Sequence, residues 1–285
     1  DPVIISGGSQ DNGTSVYTAD KTWADWLGAD GMESFVDHSD SNILYGTSQF
    51  GSLYKSINQG QSIIGLSRPG GKIGNWVTPF EQDPLVSTTI YSGYDEIYKS
   101  IDGGQNWTSI SQNFGKNADH LKIAPSDSDT MYAAVGFNLY KTTNGGSIGN
   151  WMQLSGFLGK INSIAIHPAN PNKLAIATSS SNKVYISSDG SENWSVATQD
   201  IPNFSALALV WDTTYDEDIL YLGMNYGVYY LRDNETTWTS YNSDLPNVKI
   251  NELEVNTADN KLYAATYGRG IWSVDLFNPS TFGVD

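Results

Sequence analysis

The sequence predicts an all-β chain: a β-propeller of four-stranded antiparallel blades, seven of them. Three observations predict it. A short apolar strand recurs seven times, a polar turn motif recurs five times at near-constant spacing, and no segment carries a helical period.

The strand copies are VIISGG (3–8), ILYGTS (43–48), TIYSGY (89–94), TMYAAV (130–135), KLAIAT (173–178), ILYLGM (219–224) and KLYAAT (261–266). Each is rich in β-branched and aromatic residues, which fit a pleated, buried surface. Before most of them lies a second alternating run: MESFVDH, HLKIAPS, INSIAIHP, SALALVWD and INELEVN. After them come a third strand, a turn and a fourth. Each unit therefore reads as strands A, B, C and D. Four short strands per unit of about 40 to 45 residues is a propeller blade. The first unit opens on its B strand and the last closes on A, B and C, ending GIWSVDL (270–276). Residues 1–276 read as one propeller domain. Residues 277–285 read as a closing strand or a linker to a further downstream domain.

The C–D turn holds the motif, best seen in YKSIDGGQNW (98–107). Its acid or amide recurs at Asn58, Asp102, Asn144, Asp189 and Asp233, and its indole at Trp107, Trp151, Trp194 and Trp238. Asp and Asn side-chain oxygens both accept backbone N–H bonds across a turn. The swap of acid for amide argues for a fastener rather than a catalytic loop. Paired glycines permit the positive φ of a tight hairpin.

Ser100, Asp102, Gly104 and Trp107 spell S-x-D-x-G-x-x-W. The motif resembles the Asp-box (BNR) repeat of sialidases, sortilin-type receptors and tandem-propeller xyloglucanases. Over most of the chain, segments such as SGGSQDNGT (6–14), INSIAIHPANPNKLAIAT (161–178) and LPNVKINELEVNTADNKLYAATYGRGIW (245–272) resemble secreted BNR-repeat proteins of Bacteroidetes. That resemblance implies secretion to the outside or the outer cell surface, by the type IX system, within a longer polypeptide.

Composition narrows the partners. A net charge of −16 lacks the basic face that nucleic acid requires. No apolar run approaches a membrane span. With no cysteine, disulfides and thiolate sites are excluded. No cofactor is expected. His38, His120 and His167 do not form a metal-ligand spacing. Acidic turns at 127–129 and 216–219 fall short of a calcium loop's oxygen count, so no metal is assigned.

If the C–D turns share one face, the B–C loops share the other, the usual binding face of propellers. On those loops lie Gln10, Asp11, Gln49, Phe50, Tyr94, Asp95, Phe137, Asn138, Asn182, Asn225, Tyr226, Tyr267 and Arg269. Aromatic rings among amides and carboxylates suit sugars, which present apolar faces and hydroxyl edges. The same rings could instead pack between blades.

Catalysis has weaker support. A sialidase needs three arginines on one carboxylate. The three here, Arg68, Arg232 and Arg269, are dispersed. A xyloglucanase-like enzyme needs paired carboxylates. The loops matching its catalytic Asp carry Gln49 or Asn225, which cannot act as bases. Asp11 and Asp30 remain the candidate catalytic pair. Three roles stay open: a module binding an extracellular glycan or protein, a glycoside hydrolase or polysaccharide lyase, and a structural spacer.

Overall fold

The computed structural model describes residues 4–233, 235–242 and 244–279. The fold is all-β, and its seven antiparallel sheets are the blades of a β-propeller. The chain divides into two compact units, residues 1–154 and 155–285.

The first unit holds four sheets. The first has three strands, β1 (Ile5–Ser9), β2 (Gly13–Tyr17) and β3 (Trp23–Leu27). The second comprises β4 (Gly31–Val36), β5 (Leu44–Ser48), β6 (Ser52–Ser56) and β7 (Ile64–Leu66). The third comprises β8 (Phe80–Gln82), β9 (Ile90–Gly93), β10 (Ile97–Ser100) and β11 (Thr108–Ser109). The fourth comprises β12 (His120–Ala124), β13 (Asp127–Val135), β14 (Asn138–Thr143) and β15 (Met152–Leu154).

The second unit holds three sheets. The fifth comprises β16 (Ile161–His167), β17 (Asn170–Thr178), β18 (Val184–Ser187) and β19 (Ser195–Val196). The sixth comprises β20 (Ala206–Asp212), β21 (Ile219–Met224), β22 (Val228–Arg232) and β23 (Thr239–Ser240). The seventh has three strands, β24 (Ile250–Asn256), β25 (Lys261–Thr266) and β26 (Gly270–Asp275).

Each predicted B segment holds a strand, and among the described residues the first sheet has strands B, C and D and the last has A, B and C; the closing strand or linker expected over 277–285 lies mostly outside the described residues. The A strand of the third sheet, β8, was not legible. It has three residues, lies between Pro79 and Pro84, and is too short to show alternation.

The cores lie between consecutive sheets. Tyr91, Ile97, Leu121, Met131 and Trp151 bury one such layer in the first unit. Ala175, Leu209, Trp211, Leu220 and Trp238 bury one in the second. A B strand is covered on both faces, so β21 is buried at every position. That is why its sequence, ILYLGM, reads as a continuous apolar run. Close approach of the first two sheets depends on glycine: a Cβ on Gly8 would meet the Met32 carbonyl oxygen at 2.1 Å.

The repeated turn works as a fastener. Asp102 Oδ1 accepts from Ser100 Oγ (2.8 Å) and from the backbone N–H groups of Gln105 (3.0 Å) and Asn106 (2.9 Å). Asp189 is held in the same way by Ser187 Oγ and Asn193 N–H. Asn58 accepts from Ser56 Oγ and Ser62 N–H through its amide oxygen, and Asn144 from Thr142 Oγ1. The next residue's N–H then crosses to the start of the B strand of its own sheet or to the turn just before it. Gln59 donates to Asn42, Gly103 to Thr88, Gly145 to Asp129 and Gly190 to Asn172, at 2.8 to 3.0 Å. The fifth copy departs from this. Leu231 stands where the other copies have a hydroxyl, and Asp233 accepts from Lys173 Nζ at 3.2 Å.

The indoles latch neighbouring sheets. Trp151 Nε1 donates to the Ile110 carbonyl and Trp238 Nε1 to the Ala197 carbonyl, each at 2.8 Å. Trp107 and Trp194 stand in the same place in the motif, but their buried Nε1 atoms make no such bond.

Candidate functional site

In the first unit the segment 67–79, inside and just past the insertion after β7, shapes the B–C loops. It is pinned at several points. Asn75 Nδ2 donates to the Ala118 carbonyl at 3.0 Å, and Asn117 Nδ2 donates to the Ile73 carbonyl at 3.0 Å. Phe50 N–H donates to the Trp76 carbonyl, and Gly74 N–H donates to the Phe50 carbonyl. This exchange places the Phe50 and Trp76 rings edge to face, with centroids 5.2 Å apart and planes at 88°. Both rings remain exposed, Phe50 at 44% and Trp76 at 41%.

The same arrangement recurs in the second unit. Tyr226, on the β21–β22 loop, meets Phe204, on the connection before β20, at 4.8 Å and 61°. Both are exposed. Tyr267 is exposed too, with Lys249 Nζ 6.0 Å from its ring centroid. Phe137, the remaining exposed loop aromatic, stands on the one-turn loop after Gly136.

Tyr94 requires a correction. It is fully buried, and its hydroxyl donates to the Gly51 carbonyl at 2.8 Å. Burial pushes its phenol up to about 12. Its ring packs against Gly51 and Tyr98, so it fastens the 47–52 loop to its own and presents no ring to a ligand.

The loop acids are occupied within the fold. Asp95 accepts from Lys72 (2.9 Å) and Asn113 Nδ2 (2.7 Å). Burial alone would raise its carboxyl, but these hydrogen bonds hold it below the ordinary value. Glu96 is held low by the Tyr98 hydroxyl, then by Lys72 and Ser109, against some burial. Lys72 is raised in turn, chiefly by Asp95.

The structure brings Asp11 and Asp30 together, through backbone rather than as two facing acids. Asp11 sits at φ 65°, and its N–H donates to Asp30 Oδ1 at 2.7 Å. Beside this turn lies an open cleft of about 410 Å³ lined by Asp11, Asn12, Asp25, Trp26 and Leu27. Asp25 accepts from Ser15 Oγ at 2.7 Å.

Of the polar candidates, Gln10 and Arg269 are exposed on their loops. Gln49 Oε1 is buried without a partner. Asn138 Oδ1 accepts from Gln153 Nε2, which draws it toward the β14–β15 side. Asn182 closes its loop through its carbonyl, which accepts from Thr178 and Ser180. Asn225 N–H donates to the Ser205 carbonyl.

Two of the histidines make contacts within the fold. His38 Nε2 lies 3.0 Å from the Asp83 carbonyl, and His167 Nε2 lies 2.9 Å from Asp218 Oδ2, which Lys173 also binds. Among the described residues no group of three or more His, Asp or Glu is placed to hold a metal ion. No helix among them is long and apolar enough to cross a membrane.

Trp76 and Phe204 were missed in the sequence. Both lie on D–A connections, where no repeat alignment marks a position as facing a B–C loop. The only sequence signal was the insertion itself.

No protein-family model matches the chain, and no curated protein matches it in sequence. Solved structures do share its fold. An ancestral GH74 enzyme aligns over 99% of this chain and 44% of its own, with TM-score 0.77 and 16% identity. The GH74 xyloglucanase from Xanthomonas campestris aligns over 96% and 50%, with TM-score 0.74 and 14% identity. YCF48 bound to D1 peptide aligns over 87% and 78%, with TM-score 0.63 and 12% identity. The chain spans about half the length of the two GH74 structures.

Proposed function

We propose that this propeller is a binding module for a neutral extracellular glycan, carried at the cell surface or in secreted form beside further domains of a longer polypeptide. One observation carries the reading. In each unit an exposed loop aromatic is buttressed by a second exposed aromatic, Phe50 by Trp76 and Tyr226 by Phe204. A ring held edge-on by another is a stiff platform that loses little rotamer freedom on binding. Sugar rings stack on such platforms through their C–H faces. The acids near the first pair are spent on Lys72, Asn113 and Tyr98, which favours binding over acid–base work. The charge of −16 disfavours a polyanionic glycan. The extracellular location rests on the resemblance to secreted repeat proteins.

A second reading is glycoside hydrolysis. It is supported by the GH74 likeness in fold and by the cleft that carries Asp11 and Asp25.

Isothermal titration against neutral xyloglucan and against polygalacturonate, with a parallel reducing-end assay, separates the two. The binding reading expects saturable binding to the neutral polymer that Trp76→Ala weakens, with no new reducing ends. Binding unaffected by Trp76→Ala and Tyr226→Ala overturns the platform. Reducing ends that disappear in Asp11→Asn establish the hydrolase instead.

A further inference from the structure

The seventh sheet ends at β26, and among the described residues no strand pairs with its outer edge. The five four-stranded sheets show what belongs there. Aligned on the turn residue (Asn58, Asp102, Asn144, Asp189, Asp233), the fourth strand always opposes the same two positions of the third. These are Tyr54 and Lys55, Tyr98 and Lys99, Tyr140 and Lys141, Tyr185 and Ile186, and Tyr229 and Tyr230, in chain order of the sheets. Leu276 holds the turn position in the seventh sheet, because Val274 pairs there with Leu262 as Ser56 pairs with Leu44, Ser100 with Ile90, Thr142 with Met131, Ser187 with Leu174 and Leu231 with Leu220. Leu276 N–H donates to the Asn260 carbonyl at 2.9 Å, as the turn residue Asp233 donates to the Asp218 carbonyl in the sixth sheet. The equivalent edge positions are therefore Trp272 and Ser273.

An anchoring slot is present as well. The Ile110, Ala197 and Tyr241 N–H groups each donate to the third strand of their own sheet, at Ile97, Val184 and Val228. The Ile110 and Ala197 carbonyls then receive the indole of the following sheet's fourth strand, from Trp151 and Trp238. Tyr241 is the third member of this series. It lines a narrow apolar groove with Val228, Leu245, Leu262, Trp272 and Val274. In the tryptophan register of this last turn the chain carries Thr281, which has no indole to fill the slot. Past Asp275 the described chain turns onto the sixth sheet. Phe277 stacks on Tyr230 at 4.4 Å, and its N–H donates to the Tyr221 hydroxyl.

We infer that β26 is a docking edge for an extended, tryptophan-bearing strand of a second polypeptide, added antiparallel at Trp272 and Ser273 with its indole in the groove beside Tyr241. Backbone pairing supplies the register, and the indole supplies the specificity. The chain's own fourth strands define the ligand: Trp107-Thr-Ser, Trp194-Ser-Val and Trp238-Thr-Ser.

The test uses the intact chain and a fluorescein-labelled peptide copying residues 235–242, ETTWTSYN. Fluorescence anisotropy measures affinity, and hydrogen exchange of the chain locates the site. The expected result is saturable binding with slowed exchange confined to the amides around 270–275. Trp238→Ala in the peptide is expected to weaken binding at least tenfold. Thr239→Pro, which removes a ladder donor, is expected to abolish it. Because both changes are in the peptide, the chain's folding is untouched. Absence of binding, protection elsewhere, or equal binding by the Trp238→Ala peptide overturns the inference. So does protection of residues 272 and 273 in the peptide-free chain, because its own residues would then cover the edge.

Discussion

The Trp151 indole N–H donates to the Ile110 carbonyl at 2.8 Å, joining the fourth strand of one sheet to the end of the sheet before it. Both residues are buried, so the bond is shielded from water. Trp151→Phe keeps most of the ring and orphans the carbonyl. The expected loss is about 1–3 kcal/mol in urea unfolding. Trp151→Ala adds a cavity and should cost about 3–5 kcal/mol. Equal losses for the two variants would show that packing, and not the hydrogen bond, carries the latch.

Acid should loosen the turns. Asp102 and Asp189 are both lowered to about 2, chiefly by the backbone N–H of Asn106 and of Asn193 respectively. A carboxylate lowered in the folded state contributes stability above its unfolded value near 4, and loses it as pH falls toward 2. The melting temperature should therefore drop between about pH 4 and 2. Asp102→Asn with Asp189→Asn should flatten that drop, since Asn58 and Asn144 already fill this role with an amide. An unchanged acid limb in the double variant would assign it to other carboxylates, Asp83 first. Asp83 is also held low, by Ser128, Tyr91 and two backbone N–H groups acting against burial.

Ser191 adopts φ 78° where three sister turns carry Gly60, Gly104 and Gly146, also at positive φ. Its buried hydroxyl has no partner. Ser191→Gly relieves both penalties and should raise stability by about 1 kcal/mol. Thermal melting checks this, and a lower melting temperature would refute the strain argument.

Tyr94 and Trp76 should separate stability from binding. Tyr94→Phe removes the buried bond to Gly51 and is expected to cost about 1 kcal/mol with glycan affinity unchanged. Trp76→Ala should leave the melting temperature within about 1 °C and weaken glycan binding about tenfold. The reverse pattern would exchange their roles.

The blade pattern was legible because each strand is read by its neighbours at a fixed distance, so its residue types repeat. Asp102 was recognisable as a fastener from Asn58 and Asn144 alone. The fifth copy announced its difference too, since Leu231 offers no hydroxyl. The binding face was not legible in the same way. Phe50 and Tyr94 both sit on B–C loops and look alike in sequence. One is exposed beside Trp76, and the other is buried with its hydroxyl on the Gly51 carbonyl. Trp76 could not be assigned, because a single insertion has no sister copy to compare.

The indole latches reach backward, from Trp151 to Ile110 and from Trp238 to Ala197, always from a later sheet to an earlier one. The turn-to-turn bonds close each sheet on itself within about 20 residues, as from Gly103 to Thr88. A chain built in this way can be completed in the order in which it is synthesised or threaded through a pore. Each sheet sets its own hairpins first and then bolts onto a neighbour already in place.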